Sequence, residues 1–223
     1  MSRHDWSDVR ERVERLAAEP EAGEVFGSVA HRWVLEPPLS GEEMAELEGQ
    51  LRVELPGEYR SFLLQAGRGG AGPAYGLWPL RRVDERWRWE GDGADLTALD
   101  KLDQPFPHVE AFDLEDGLPD RPDESGFASE ADFDAAEKAY WERLEAVYRQ
   151  NTVGLLYLCH LGCAFREALV VSGPARGQMW ADLSAEGNGF QPLRDDDGTP
   201  LGFARWYRRW LDEAEAQVFG DRP

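Results

Sequence analysis

Trp6, Val9, Val13 and Leu16 recur every three or four positions, which predicts an amphipathic helix over residues 5–18. A loop carrying Pro37 and Pro38 follows. Ser40 and Glu43 then have capping-box spacing, and Leu39 and Met44 can close a hydrophobic staple across it, so a second helix starts there with Met44, Leu47 and Leu51 inward. Tyr59, Phe62, Leu63 and Ala66 predict a third helix behind Pro56, whose missing N–H is harmless in a first turn. That helix is expected to end at Gly67 in the left-handed C′ conformation.

Trp87 and Trp89 have strand spacing, and a loop-rich stretch with Pro105, Pro107, Pro119 and Pro122 comes next. A long helix is predicted from about Ser129, with Phe133, Ala136, Tyr140, Trp141, Leu144 and Val147 at helical spacing. Residues 153–159, 167–171 and 178–183 have strand character and are punctuated by Gly162 and the turn at 173–177, the pattern of an antiparallel meander. Phe203, Trp206, Tyr207, Trp210, Leu211 and Ala214 stripe a last helix over residues 201–218. The expectation is a single α+β domain over residues 1–223, with an antiparallel sheet flanked by N-terminal helices and a closing C-terminal helix.

Composition supports a packed core: the chain has 223 residues, 42% of them hydrophobic, with nine Trp and ten Phe. Charge narrows the partners. Forty-four acids against 24 bases give −20, a surface that repels nucleic acid and anionic lipid and suits a basic protein. Residues 82–150 hold 20 acids and 8 bases, a net −12, and stand out as an acidic insertion. Met1, Ser2, Arg3, His4 and Asp5 lead into a charged helix rather than an apolar leader, and no apolar run approaches the ~18 residues of a membrane span. Two cysteines make no disulfide framework, so a cytoplasmic protein is expected.

Three patterns invite chemistry. Gly67-Arg68-Gly69-Gly70-Ala71-Gly72 spells the dinucleotide fingerprint, but it follows a helix instead of preceding one, and a helix C-terminus offers carbonyls where a phosphate needs N–H groups. Cys159, His160 and Cys163 supply three potential metal ligands rather than four, and adjacent strand residues point to opposite faces. Asp195, Asp196, Asp197 and Gly198 lack the alternation of a calcium loop and read as an Asp-Gly turn. No nucleophile with its base, no metal set and no cofactor loop remains, so no catalytic, cofactor or metal residue is assigned and an enzyme is not expected.

Leu39-Ser40-Gly41-Glu42-Glu43, Leu47-Glu48, the run from Leu55-Pro56 to Phe62-Leu63, Gly69-Gly70 and Leu80 together resemble the SUKH superfamily (Smi/Knr type). Gly177-Gln178-Met179-Trp180 is similar to its Gly-x-x-Trp strand, and the Trp206 to Leu211 segment to its closing helix. The likeness covers residues 38–81 and 151–216, with one departure: Arg68 stands where relatives often carry a polar amide. The resemblance implies an α+β fold without established catalytic residues. It also implies an immunity protein that binds and neutralises a cognate toxin, for which a basic toxin such as a nuclease suits the charge. The alternative it leaves open is a non-enzymatic regulatory or scaffolding module.

Candidate partner-binding residues are Asp113, Glu115, Asp116, Asp120, Asp123 and Glu124, together with Trp87 and Trp89. Two other readings stand beside this one: the acids as a solvated loop, and the tryptophans as core.

Overall fold

The computed structural model describes residues 5–220; Met1 to His4, part of the start read above as no leader, and residues 221–223 lie outside them. Helix α1 spans Val9–Ala17 and buries Val9, Val13 and Leu16, with Trp6 buried just before it. It begins later than expected because Asp5 Oδ1 accepts from the Ser7 N–H, at 2.9 Å, and holds the chain in a turn first. After the short α2, Ser28–His31, comes α3, Gly41–Leu51, with both arms of the capping box formed between Ser40 and Glu43. Helix α4 covers Gly57–Gln65, and Pro56 serves as its N-cap.

Gly67 is not left-handed, contrary to the sequence expectation. The cap residue Ala66 stays right-handed, and the positive φ angles fall at Gly69 (136°) and Gly70 (102°). The cause is long-range: the chain at 34–36 runs antiparallel to 69–71, with Glu36 N–H donating to Gly69 O at 2.9 Å and Ala71 N–H to Val34 O at 2.8 Å. Gly67 is needed for closeness instead, since a Cβ there would stand 2.6 Å from Glu36 O. On the other side Gly70 exchanges both backbone hydrogen bonds with Leu77, and Trp78 N–H reaches Leu158 O at 2.8 Å. The glycine stretch thus ties the helical half of the chain to the main sheet.

Strands β1, Leu80–Val83, and β2, Arg86–Trp89, form a hairpin. Trp87 and Trp89 point inward and are only 2% and 5% exposed. Gln50 of α3 exchanges two 2.7 Å hydrogen bonds with the Trp87 backbone, acting as a substitute strand neighbour, and Trp89 Nε1 donates to Tyr59 Oη at 2.8 Å. The core reading of these two rings is the one found, and neither offers a contact surface.

The long helix α5, Glu130–Asn151, is N-capped by Ser129 and leads into β3, Leu155–Gly162. With β4 (Phe165–Val170), β5 (Met179–Asp182) and β6 (Phe190–Pro192), this strand makes an antiparallel sheet in the order β3-β4-β5-β6. Helix α6, Phe203–Phe219, closes the chain. The fold is α+β, as the periodicity predicted.

Alternation along β4 assigns the two faces, and a bulge between Tyr157 and Cys159 carries β3 from one face to the other. Cys159 and its register partner Glu167 look toward α6, where Glu167 meets Trp206 Nε1 at 3.0 Å. Helix α6 also packs on α4 through Phe203 and Tyr59, and on α1 through the Arg12–Glu215 and Arg208–Asp8 ion pairs. Tyr157, Ala168, Arg166 and Asp182 look the other way, toward α5 and the acidic segment. That segment is anchored rather than loose. Leu102 and Phe106 are fully buried, Phe106 N–H donates to Ser172 O, and Phe112 pairs with Phe190 as an added sheet neighbour while their rings stack at 5.0 Å. Coverage on both faces explains why β3 opens with five buried residues in succession.

Candidate partner-binding groove

A groove of about 590 Å³ opens where the acidic segment meets α5 and the sheet. Trp141, Leu144, Glu145 and Tyr148 of α5 form one wall, and Asp113, Leu114 and Glu115 form the opposite one. Leu96, Ala164, Arg166 and the turn at 184–187 complete it. Among the described residues lining it, three carboxylates face one cation. Trp141 is 45% exposed, an unusual position for so large a ring.

Only Tyr140 of α5 is buried, so the helix presents a narrow inward stripe, and Trp141, about 100° further round, lies along the groove wall. Burial and the neighbouring Glu115 carboxylate push the Tyr140 hydroxyl up. Arg121 reaches back from the acidic segment, holding its guanidinium 4.8 Å over the Trp141 ring while bonding Glu137 at 2.9 Å, which in turn holds Glu137 below the usual carboxylate range.

Under the groove runs a buried polar chain. Tyr148 and Tyr157 share a 2.7 Å hydroxyl contact, Tyr157 donates to Asp182 Oδ2 at 2.9 Å, and Asp182 Oδ1 accepts from the Ser184 N–H and hydroxyl at 3.1 and 2.5 Å. Desolvation raises both tyrosine hydroxyls above their ordinary value, so they stay neutral donors and not proton-transfer groups at neutral pH. Arg166 donates to Ala164 O at 2.8 Å, and its buried Nε has no partner. Gly93 lies directly against that guanidinium, since a Cβ there would stand 2.1 Å from Nε.

Of the six acids proposed from sequence, Asp113 and Glu115 line the groove. Asp116, Asp120 and Glu124 are exposed on the loop beyond it, and Asp123 accepts from Ser125. The structure therefore splits the set. It adds Trp141 and Leu144, which the sequence placed only in a helix stripe, and Glu145 and Tyr148, which the sequence reading did not single out.

The other chemical patterns resolve into structure. Cys159 is buried with its thiol pushed up by desolvation and by Glu167, whereas Cys163 is exposed in the β3–β4 turn. Asp197 accepts from Thr199 in an Asp-Gly turn with Gly198 at φ 83°, and Asp195 holds Arg205. Among the described residues no three His, Cys, Asp or Glu gather as a metal site, and no helix is long and apolar enough to cross a membrane. Arg68, the departure noted above, lies 3.9 Å from both Glu36 and Glu43.

No curated protein and no solved structure matches the chain. The sequence profile of the SMI1/KNR4 family (SUKH-1) matches residues 38–147, a range that takes in α3, α4, the β1–β2 hairpin, the acidic segment and most of α5. With the capping box of α3 and the Pro56-capped α4 inside the matched range, residues 38–147 belong to the SMI1/KNR4 family (SUKH-1) of the SUKH superfamily.

Proposed function

We propose that this protein is a cytoplasmic immunity protein that neutralises a basic toxin by binding it through the face built from the acidic segment and α5. The SUKH superfamily includes immunity proteins, which makes binding rather than turnover the first expectation. The observation that carries the reading is the groove itself: an exposed tryptophan beside partly buried leucines, edged by Asp113, Glu115 and Glu145. Such a surface attracts a cationic partner at long range and holds it by apolar burial at short range. A nuclease fits well, because its phosphate-binding surface is cationic and a carboxylate face competes for it.

The test is co-expression of this chain with each toxin domain that its neighbouring genes encode. Restored growth together with a complex of the two purified proteins supports the reading; continued killing with no complex overturns it.

The scaffolding alternative draws on a different feature. Phe26 and Tyr75 touch at 5.4 Å and are both exposed, as is nearby Val29 in sequence, giving apolar surface that an acidic toxin-binding face does not account for. Unchanged toxin binding in a Phe26→Ala, Tyr75→Ala variant would assign that patch elsewhere.

A further inference from the structure

We propose that the Trp141 groove receives a short partner segment carrying a large apolar residue flanked by arginine or lysine. The inference deepens the toxin-binding reading above and rests on it for the partner's overall basic character.

Three observations select this occupant. The first is size and lining: about 590 Å³ bounded by Leu96, Leu114, Trp141 and Leu144 accommodates one or two large apolar side chains, within the range of pockets that hold compact ligands. Second comes charge, since Asp113, Glu115 and Glu145 edge the groove while its one cation, Arg166, is tied back to Ala164 O. The third is Arg121. With its guanidinium 4.8 Å over Trp141 and its nitrogen 2.9 Å from Glu137, the chain's own arginine displays the contact that a flanking arginine of the partner would make on this wall. A second copy of this chain is a poor occupant, because each copy carries −20.

Binding follows from these parts. The apolar residue displaces water from the leucine and tryptophan walls, the flanking cations sit over the rim carboxylates, and Trp141 supplies the rigid central contact typical of binding hot spots. Neither half suffices alone. A purely cationic segment leaves the walls wet, and a purely apolar one leaves three carboxylates without partners.

The test uses the full chain and a dye-labelled capped peptide of alternating leucine and arginine, followed by fluorescence anisotropy. Controls are the peptide with leucine replaced by glycine and the peptide with arginine replaced by glutamate. Wild type is expected to bind the first peptide and neither control. Trp141→Ala should weaken binding about tenfold, and Glu115→Gln with Glu145→Gln should weaken it by a factor that shrinks as salt rises. Trp141 is exposed, so its truncation leaves the fold in place, and Leu144→Asp gives a second variant that should also weaken binding.

Equal binding by wild type and both apolar-wall variants, equal binding of the glycine control, or no binding at all would overturn the proposal. So would self-association of the free protein that Trp141→Ala abolishes. The two readings fail separately. Protection from the toxin without peptide binding removes the groove and leaves the immunity role; peptide binding lost in Trp141→Ala without any toxin neutralised leaves the groove and removes the immunity role.

Discussion

The Tyr157 hydroxyl donates to Asp182 Oδ2 at 2.9 Å within the sheet face that α5 covers. Tyr148 extends the chain at one end and Ser184 at the other, so one phenol holds together α5, β3 and the end of β5. Tyr157→Phe would leave Asp182 short of a donor and Tyr148 without its neighbour, and both Tyr157 and Asp182 are buried. The expected cost is about 1–3 kcal/mol, the usual penalty for stranding a buried polar group. Urea denaturation would show a lower midpoint at unchanged slope. A shift below about 0.5 kcal/mol would mean that the chain of hydroxyls contributes little.

On the opposite face, desolvation pushes the Glu167 carboxyl up to about 7 despite hydrogen bonds from Cys159 and Trp206 that favour its charge. The folded protein therefore binds this proton more tightly than the unfolded chain, where the carboxyl has its ordinary value of 4.5. Its stabilising contribution is complete below pH 4.5 and is lost as pH rises through 7. Glu167→Gln keeps the shape and the Trp206 contact without the charge, so it should be the more stable protein at pH 8, by roughly 2–3 kcal/mol, and close to wild type at pH 4. His31 makes the comparison between variants necessary. Burial lowers it to about 4, so it withdraws stability in the opposite direction, as pH falls from 6.5 toward 4. Chemical denaturation of both proteins across this range isolates the Glu167 term; parallel curves would refute it.

What the sequence made legible was local. The α3 capping box, the stripes of α1 and α6 and the strand meander each depend on neighbours within a few positions, and each is present. The left-handed positions at Gly69 and Gly70 were assigned to Gly67 instead, because they are dictated by residues 34–36 crossing the loop, a contact that no periodicity encodes. The groove was illegible for the same reason: Leu96, Glu115, Trp141, Arg166 and Ser184 meet only after the sheet has formed.

Those same glycines yield a negative prediction. Gly70 N–H donates to Leu77 O and Ala71 N–H to Val34 O, so the donors that a pyrophosphate would need are already paired. Calorimetry with a dinucleotide should give no heat of binding. Gly70→Ala should instead destabilise the fold by more than about 2 kcal/mol, because its Cβ would stand 2.0 Å from Val34 O at a φ of 102°. Micromolar dinucleotide binding, or a Gly70→Ala protein as stable as wild type, would contradict the architectural role.

The six acids outside the tryptophan wall allow the charge argument to be tested by rate. Neutralising Asp113, Glu115, Asp116, Asp120, Asp123 and Glu124 together leaves Trp141, Leu144 and Glu145 in place, so the apolar contact survives while the net charge of residues 82–150 falls from −12 to −6. Steering acts before contact and is screened beyond about 8 Å at 0.15 M salt, whereas dissociation is governed by contacts already made. The neutralised variant should therefore associate with the cognate toxin about tenfold more slowly at low salt, converge on wild type as salt rises, and change less in its off-rate. Folding stability should move little, since Asp116, Asp120 and Glu124 are exposed and removing like charges relieves repulsion. Stopped-flow association across a salt series reads all of this directly. Equal on-rates at low salt would mean that the acids beyond the groove serve only as a solvated loop, and that Trp141 and its leucine wall capture the partner without electrostatic help.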